Sequence, residues 1–133
     1  MATIANNLQL VRNRIQAACA QTGRPADSVT LLAVSKTFPA VTVRDAFHAG
    51  QRCFGENYVQ EALDKIAELA DLRAQITWHL IGPLQSNKTR LVAEAFDWVH
   101  TVDRLKVAQR LSEQRPPELP PLQVCVQVNV DGG

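Results

Sequence analysis

Five short apolar segments start near residues 29, 52, 76, 97 and 122, and each gap between them carries a helical pattern. The segments span residues 29–34, 51–54, 76–81, 98–102 and 122–130. They are too brief for helices, and most are rich in strand formers. Their continuous rather than alternating apolarity suits strands covered on both faces. Between them, apolar residues step at helical spacing: Val43, Ala46 and Phe47 after Pro39; Ala62, Leu63, Ile66 and Leu69 after Asn57; and Leu105, Val107, Ala108 and Leu111 after Asp103. A further helix is predicted from about residue 87 to residue 96. Ahead of the first strand, Ile4, Leu8, Val11, Ile15 and Cys19 draw one stripe on a helix that should stop near Gly23 and Pro25. Asn57 with Gln60 has the form of a capping box, and Asp103 is placed to cap the last helix.

Strand alternating with helix at this spacing implies right-handed βαβ units and a parallel sheet. Two architectures fit, an open doubly wound sheet or a closed eight-stranded barrel. The fifth segment runs into Asp131 with no helix after it, whereas a complete open sheet would supply one. The expectation is therefore an α/β fold of the (β/α)8 TIM-barrel type, present as about its first five strands. Residues 1–133 would form one partial barrel domain, lacking three units of roughly 70 residues in all.

Composition narrows the function. A hydrophobic content of 46% argues against disorder. Fourteen Lys and Arg against thirteen Asp and Glu, mixed along the chain, leave no basic stripe for nucleic acid. No apolar run approaches the roughly 18 residues of a membrane span. Residues 1–7 have neither the charge nor the apolar block of a signal peptide, so a cytoplasmic location is expected. Cys19, Cys53 and Cys125 are odd in number, far apart and without a C-x-x-C pair. They predict neither a disulfide framework nor a zinc site, but small buried hydrophobes.

In parallel α/β folds the reactive residues lie at the carboxyl ends of the strands. Here those ends are residues 35–37, 55–57, 82–88, 100–103 and 129–131, where polar and small residues gather. Lys36 stands out, because a lysine emerging from a sheet core should lose solvation and favour its neutral amine. A neutral amine is the form that attacks an aldehyde or ketone. On spacing alone, a lysine snorkelling to solvent is the simpler reading. His79 alternates with Trp78 and Leu80 and so faces the side opposite to them. It could help hold a ring, and a hydrogen-bonded core histidine accounts for it equally well. His48 and His100 are explained by a helix end and by solvent, and the three histidines share no metal-ligand spacing. Residues 85–88 open a helix whose N–H groups could meet an anion, although ordinary capping explains them too.

Residues 31–36, 54–61 and 78–88, taken together and in this order, resemble the pyridoxal 5′-phosphate homeostasis protein family, single-domain relatives of the alanine racemase barrel. Residues 99–103 and 126–130 resemble that family's next two strands. The resemblance implies an alanine racemase N-terminal kind of barrel holding pyridoxal 5′-phosphate as an aldimine on Lys36, with Asn57 and His79 in the pocket. It also implies a non-catalytic role, in which the protein binds, buffers or hands over the cofactor, with apo pyridoxal-phosphate enzymes as partners. A racemase or decarboxylase is the alternative, but such chemistry needs a second acid or base on the cofactor's other face. The single tyrosine, Tyr58, sits just inside a helix. A third reading is an α/β interaction module in which Lys36 merely faces solvent. The family's phosphate-binding serine and glycine segments, and the arginine near the pyridine nitrogen, belong to later strands absent from these 133 residues. The chain is accordingly expected to bind the cofactor much more weakly than a relative carrying those strands, since each charge-assisted bond is worth about 1.5–3 kcal/mol. Equal affinity in parallel titrations would contradict this.

Overall fold

The computed structural model describes residues 3–131. Helix α1 (Ile4–Thr22) begins where Thr3 Oγ1 accepts the Asn6 N–H at 3.0 Å. It ends where Gly23, at φ 72°, donates its N–H to the Cys19 carbonyl, a left-handed cap suited to glycine. There follow β1 (Ala33–Val34), α2 (Ala40–His48), β2 (Cys53–Glu56), α3 (Val59–Glu68), β3 (Thr77–Leu80), α4 (Thr89–Ala95), β4 (Trp98–Val102), α5 (Leu105–Gln114) and β5 (Gln123–Val126).

Every strand pairs in parallel with its sequence neighbour, so the sheet order is β1-β2-β3-β4-β5. Right-handed crossovers between strands in that order place every connecting helix on one face. A doubly wound sheet needs a reversal of order to cover the second face, and none occurs. Consecutive helices pack on one another from α1 to α5, forming an arc of the outer ring of a (β/α)8 barrel. Between helices and sheet lies the core, with Phe54, Trp78, Leu80, Val92, Phe96, Val99, Val107 and Leu111 almost wholly buried.

Several local expectations are corrected. β1 is confined to Ala33 and Val34, which pair with Phe54 and Gly55 of β2. The Leu31 carbonyl is met instead by the buried Gln51 side chain, whose Nε2 donates to it at 2.7 Å. β5 ends at Val126 and is exposed along its length, since as an edge strand it is paired on one side only. Asn57 does not cap α3: the N-cap position falls on Tyr58 without a side-chain bond, and Gln60 donates to Asp64. Asp103 likewise does not cap α5 and instead accepts from Arg104 Nε. The segment 86–88 is a short 3-10 turn before α4, with no side-chain cap. All three cysteines are free, but only Cys19 is buried, Cys125 lying on exposed β5.

At the amino ends of the strands, arginines gather backbone carbonyls. Arg73 meets both oxygens of Asp97 at 3.0 and 3.1 Å and donates to the carbonyls of Ile76 and Ala95. Asp97 Oδ2 also accepts the Trp78 N–H at 2.8 Å, and Arg115 binds the Ala93 and Phe96 carbonyls. Planar bidentate pairs of this kind fix geometry as well as adding energy. Asp97→Ala is expected to lower stability by about 1–3 kcal/mol, because it leaves the Trp78 N–H and the Arg73 fork without their acceptor. An unchanged denaturant midpoint would contradict this.

Candidate functional site

The parallel register sets Val34, Gly55, His79 and Trp98 in one row across β1 to β4, so these residues share the face opposite the helices. Gly55 is confirmed on that face by its neighbours, since a Cβ there would lie 3.1 Å from Ile81 Cδ1 and 3.4 Å from Leu32. Lys36 and Asn57 each stand two residues beyond this row, one layer nearer the carboxyl ends at about 3.3 Å per residue. The three residues nominated from sequence therefore lie toward the carboxyl ends of three successive strands, with His79 a layer below the other two.

His79 is 8% exposed. It stacks on Trp98 with ring centroids 5.4 Å apart and planes within 8°, and its Nδ1 lies 2.9 Å from His100 Nε2. Burial, reinforced by repulsion from His100, pushes the His79 pKa down to about 4, and burial lowers that of His100. His79 is thus neutral at pH 7, and in its contact with His100 the tautomers decide which ring nitrogen donates. His79 Nε2 is buried without a hydrogen-bond partner, and so is Asn57 Oδ1. A buried polar atom left unpaired costs free energy, which a bound polar group can recover. Among the described residues only one other buried side-chain polar atom, Gln114 Oε1, is in that state.

Asn57 is held by the approach of two loops. A Cβ on Gly82 would come within 2.2 Å of the Asn57 carbonyl oxygen and 2.7 Å of its Cα, so the contact requires glycine. Thr101 Oγ1 donates to the Gly82 carbonyl at 2.8 Å, tying the loops after β2 and β3 to β4.

Lys36 follows the last ladder bond of β1, from the Ser35 N–H to the Gly55 carbonyl at 2.9 Å. The dehydration expected of Lys36 is not found, for the residue is exposed. β1 is the edge of the sheet, so solvent reaches the loop that follows it. Tyr58 is 53% exposed.

Reasoning from sequence missed three features of the site. His100 partners His79, since aligning residues 79–80 with 98–99 sets His100 two residues beyond Trp98 on the same face of β4. Trp98 forms the wall beside His79. Glu56 and Lys65 lie buried under the Lys36 loop, where Lys65 Nζ meets Glu56 Oε2 at 2.9 Å and the Ser35 carbonyl at 2.9 Å. No single-strand periodicity marks that last pair.

A one-sided helical layer over a parallel sheet whose strands pair in sequence order defines the amino-terminal part of a (β/α)8-type barrel. Residues 2–133 match the family of the alanine racemase N-terminal domain, and the chain belongs to that family. It is 64% identical over 132 residues to the pyridoxal phosphate homeostasis protein of Pseudomonas aeruginosa, covering 99% of this chain and 56% of that protein. The protein of the same name from Escherichia coli is 58% identical over 131 residues, covering 98% of this chain and 56% of that one. The chain thus spans little more than half the length of these relatives. Among solved structures, PipY of Synechococcus elongatus with PLP bound is 48% identical, with a TM-score of 0.67 over 84% of this chain and 48% of that one. The crystal structure of an unknown protein from Bifidobacterium adolescentis is 37% identical in sequence, with a TM-score of 0.77 over 84% of this chain and 49% of that one.

The His79 environment makes stability depend on pH. The unfolded state takes up a proton near pH 6.5 and the folded state only near pH 4, so stability falls as pH drops across that interval. The fall is expected to be shallower in His79→Gln than in the parent, measured as urea midpoints at several pH values. Parallel profiles would contradict this.

Proposed function

We propose that the chain binds pyridoxal 5′-phosphate at the carboxyl-end opening of the barrel arc and serves cofactor homeostasis by carrying or buffering it, without turnover. The observation that carries this reading is the pair of buried, unpartnered atoms, Asn57 Oδ1 and His79 Nε2, just after β2 and within β3, the two strands that follow the one leading to Lys36. Support comes from the PLP-bound relative and from the homeostasis proteins that the chain resembles over nearly its full length.

The cofactor supplies an aldehyde, whose carbon can form a double bond to a lysine nitrogen with loss of one water. Lys36 is the amine in this reading, and its exposure leaves it open to an incoming ligand. Asn57 would offer its unpartnered Oδ1 as a hydrogen-bond acceptor to the bound group. His79 offers a neutral nitrogen that donates or accepts one hydrogen bond without adding charge, and its stacking on Trp98 keeps that ring in a fixed plane. Apo enzymes that need the cofactor are the proposed recipients, and a cytoplasmic location is proposed with them. Among the described residues, no helix is long and apolar enough to cross a membrane.

The chain has four lysines, Lys36, Lys65, Lys88 and Lys106, of which Lys106 is an exposed internal reference. Incubation with pyridoxal phosphate, borohydride reduction and peptide mass spectrometry should label Lys36 well ahead of Lys106. Lys36→Ala should lose the site-specific signal. Labelling of Lys36 and Lys106 to the same extent would overturn the proposal.

A further inference from the structure

The loop that carries Lys36 is fastened on both sides to one ion cluster, buried at Glu56 and Lys65 and partly exposed at Glu61. Ser35, before it, is 6% exposed; its hydroxyl donates to Glu56 Oε2 and its carbonyl accepts from Lys65 Nζ at 2.9 Å. Thr37, after it, donates its N–H to Glu61 Oε1 at 2.6 Å. Glu61 Oε1 also lies 3.2 Å from Lys65 Nζ, which meets the Glu56 oxygens at 2.9 and 3.2 Å. The three donors of the Lys65 ammonium are therefore matched to the Ser35 carbonyl, Glu56 and Glu61. Glu56 is fully buried and Lys65 is 4% exposed.

Two facts argue that this cluster does more than add stability. Burying an ion pair forfeits the hydration of both charges, so an apolar pair of similar volume would serve the core at least as well. Thr37 also sits at φ 68°, a left-handed conformation that a β-branched residue adopts only when its surroundings impose it. The charge-assisted bond to Glu61 supplies that imposition. It reverses the chain just after Lys36, and the Phe38 N–H closes the turn on the Ser35 carbonyl at 3.1 Å.

We infer that Glu56, Lys65 and Glu61 are positioning residues which clamp the backbone on either side of Lys36, so that its amine is presented to an aldehyde ligand at the carboxyl-end opening. The inference rests on the reading of Lys36 as the cofactor-binding amine. Glu61 is the residue to test, because its side chain is 33% exposed and its removal spares the buried Glu56–Lys65 pair. In Glu61→Ala, amide exchange at Thr37 should accelerate about tenfold, the scale of one lost charge-assisted bond. The ratio of Lys36 to Lys106 labelling by pyridoxal phosphate and borohydride should drop severalfold, while the thermal midpoint stays close to that of the parent. Glu61→Gln keeps an acceptor for the Thr37 N–H and should recover most of both effects. Unchanged Thr37 exchange, or an unchanged labelling ratio in a parent that does prefer Lys36, would overturn the positioning role alone. A parent with no preference for Lys36 would remove the cofactor reading and this role together.

Discussion

When each strand of a parallel sheet pairs with the strand before it, the right-handedness of the crossovers admits one outcome. All the helices stack on one side, and the other side is left to curve around whatever fills it. Here that constraint acts four times in succession, from β1 to β5. It puts Phe54, Trp78 and Val99 beneath the helices and turns Gly55, His79 and Trp98 toward the open face. The site exists because the two sets alternate along the same strands. A chain with the same segments in a reversed order would have buried both sets under helices.

The two ends of the strands are chemically different. At the amino ends, Arg73, Asp97 and Arg115 saturate carbonyls and a backbone N–H, so polar groups there are used up in holding the sheet together. At the carboxyl ends the loops are fastened from beneath, by Lys65 to the Ser35 carbonyl and by Thr101 to that of Gly82. Two buried atoms near them, Asn57 Oδ1 and His79 Nε2, are left without a hydrogen-bond partner. Rigidity below and unsatisfied valence above are the conditions under which a small polar ligand binds without reorganising its host.

Much of this was readable in the residue order, for physical reasons that are local. The helix stop at Gly23 and the helix start after Pro39 follow from backbone preferences of single residues. β4 occupies the expected residues, and β3 falls within one or two of them, because a short apolar run between turn residues has few alternatives. The failures share a different cause. The proposed caps at Asn57 and Asp103 lost to tertiary geometry, which shifted each helix start past them. The strands at 29–34 and 122–130 were overestimated because apolar residues at a sheet edge look like those at its centre, while pairing is available on one side only. Lys36 was expected to be dehydrated by the sheet, and the same edge exposes it.

By itself, the order of residues determined a repeating strand–helix alternation, hence a parallel α/β sheet, and placed Lys36 and Asn57 at strand ends and His79 within the third strand. Those conclusions need only backbone preferences and periodicity, which act over a few neighbours. The tertiary structure alone decided that Glu56 and Lys65 would meet beneath the Lys36 loop. It also decided that His79 would find His100, and that two polar atoms would be buried without partners. These two pairings join residues 9 and 21 positions apart in sequence. Their proximity depends on strand register and helix packing, which no local pattern encodes.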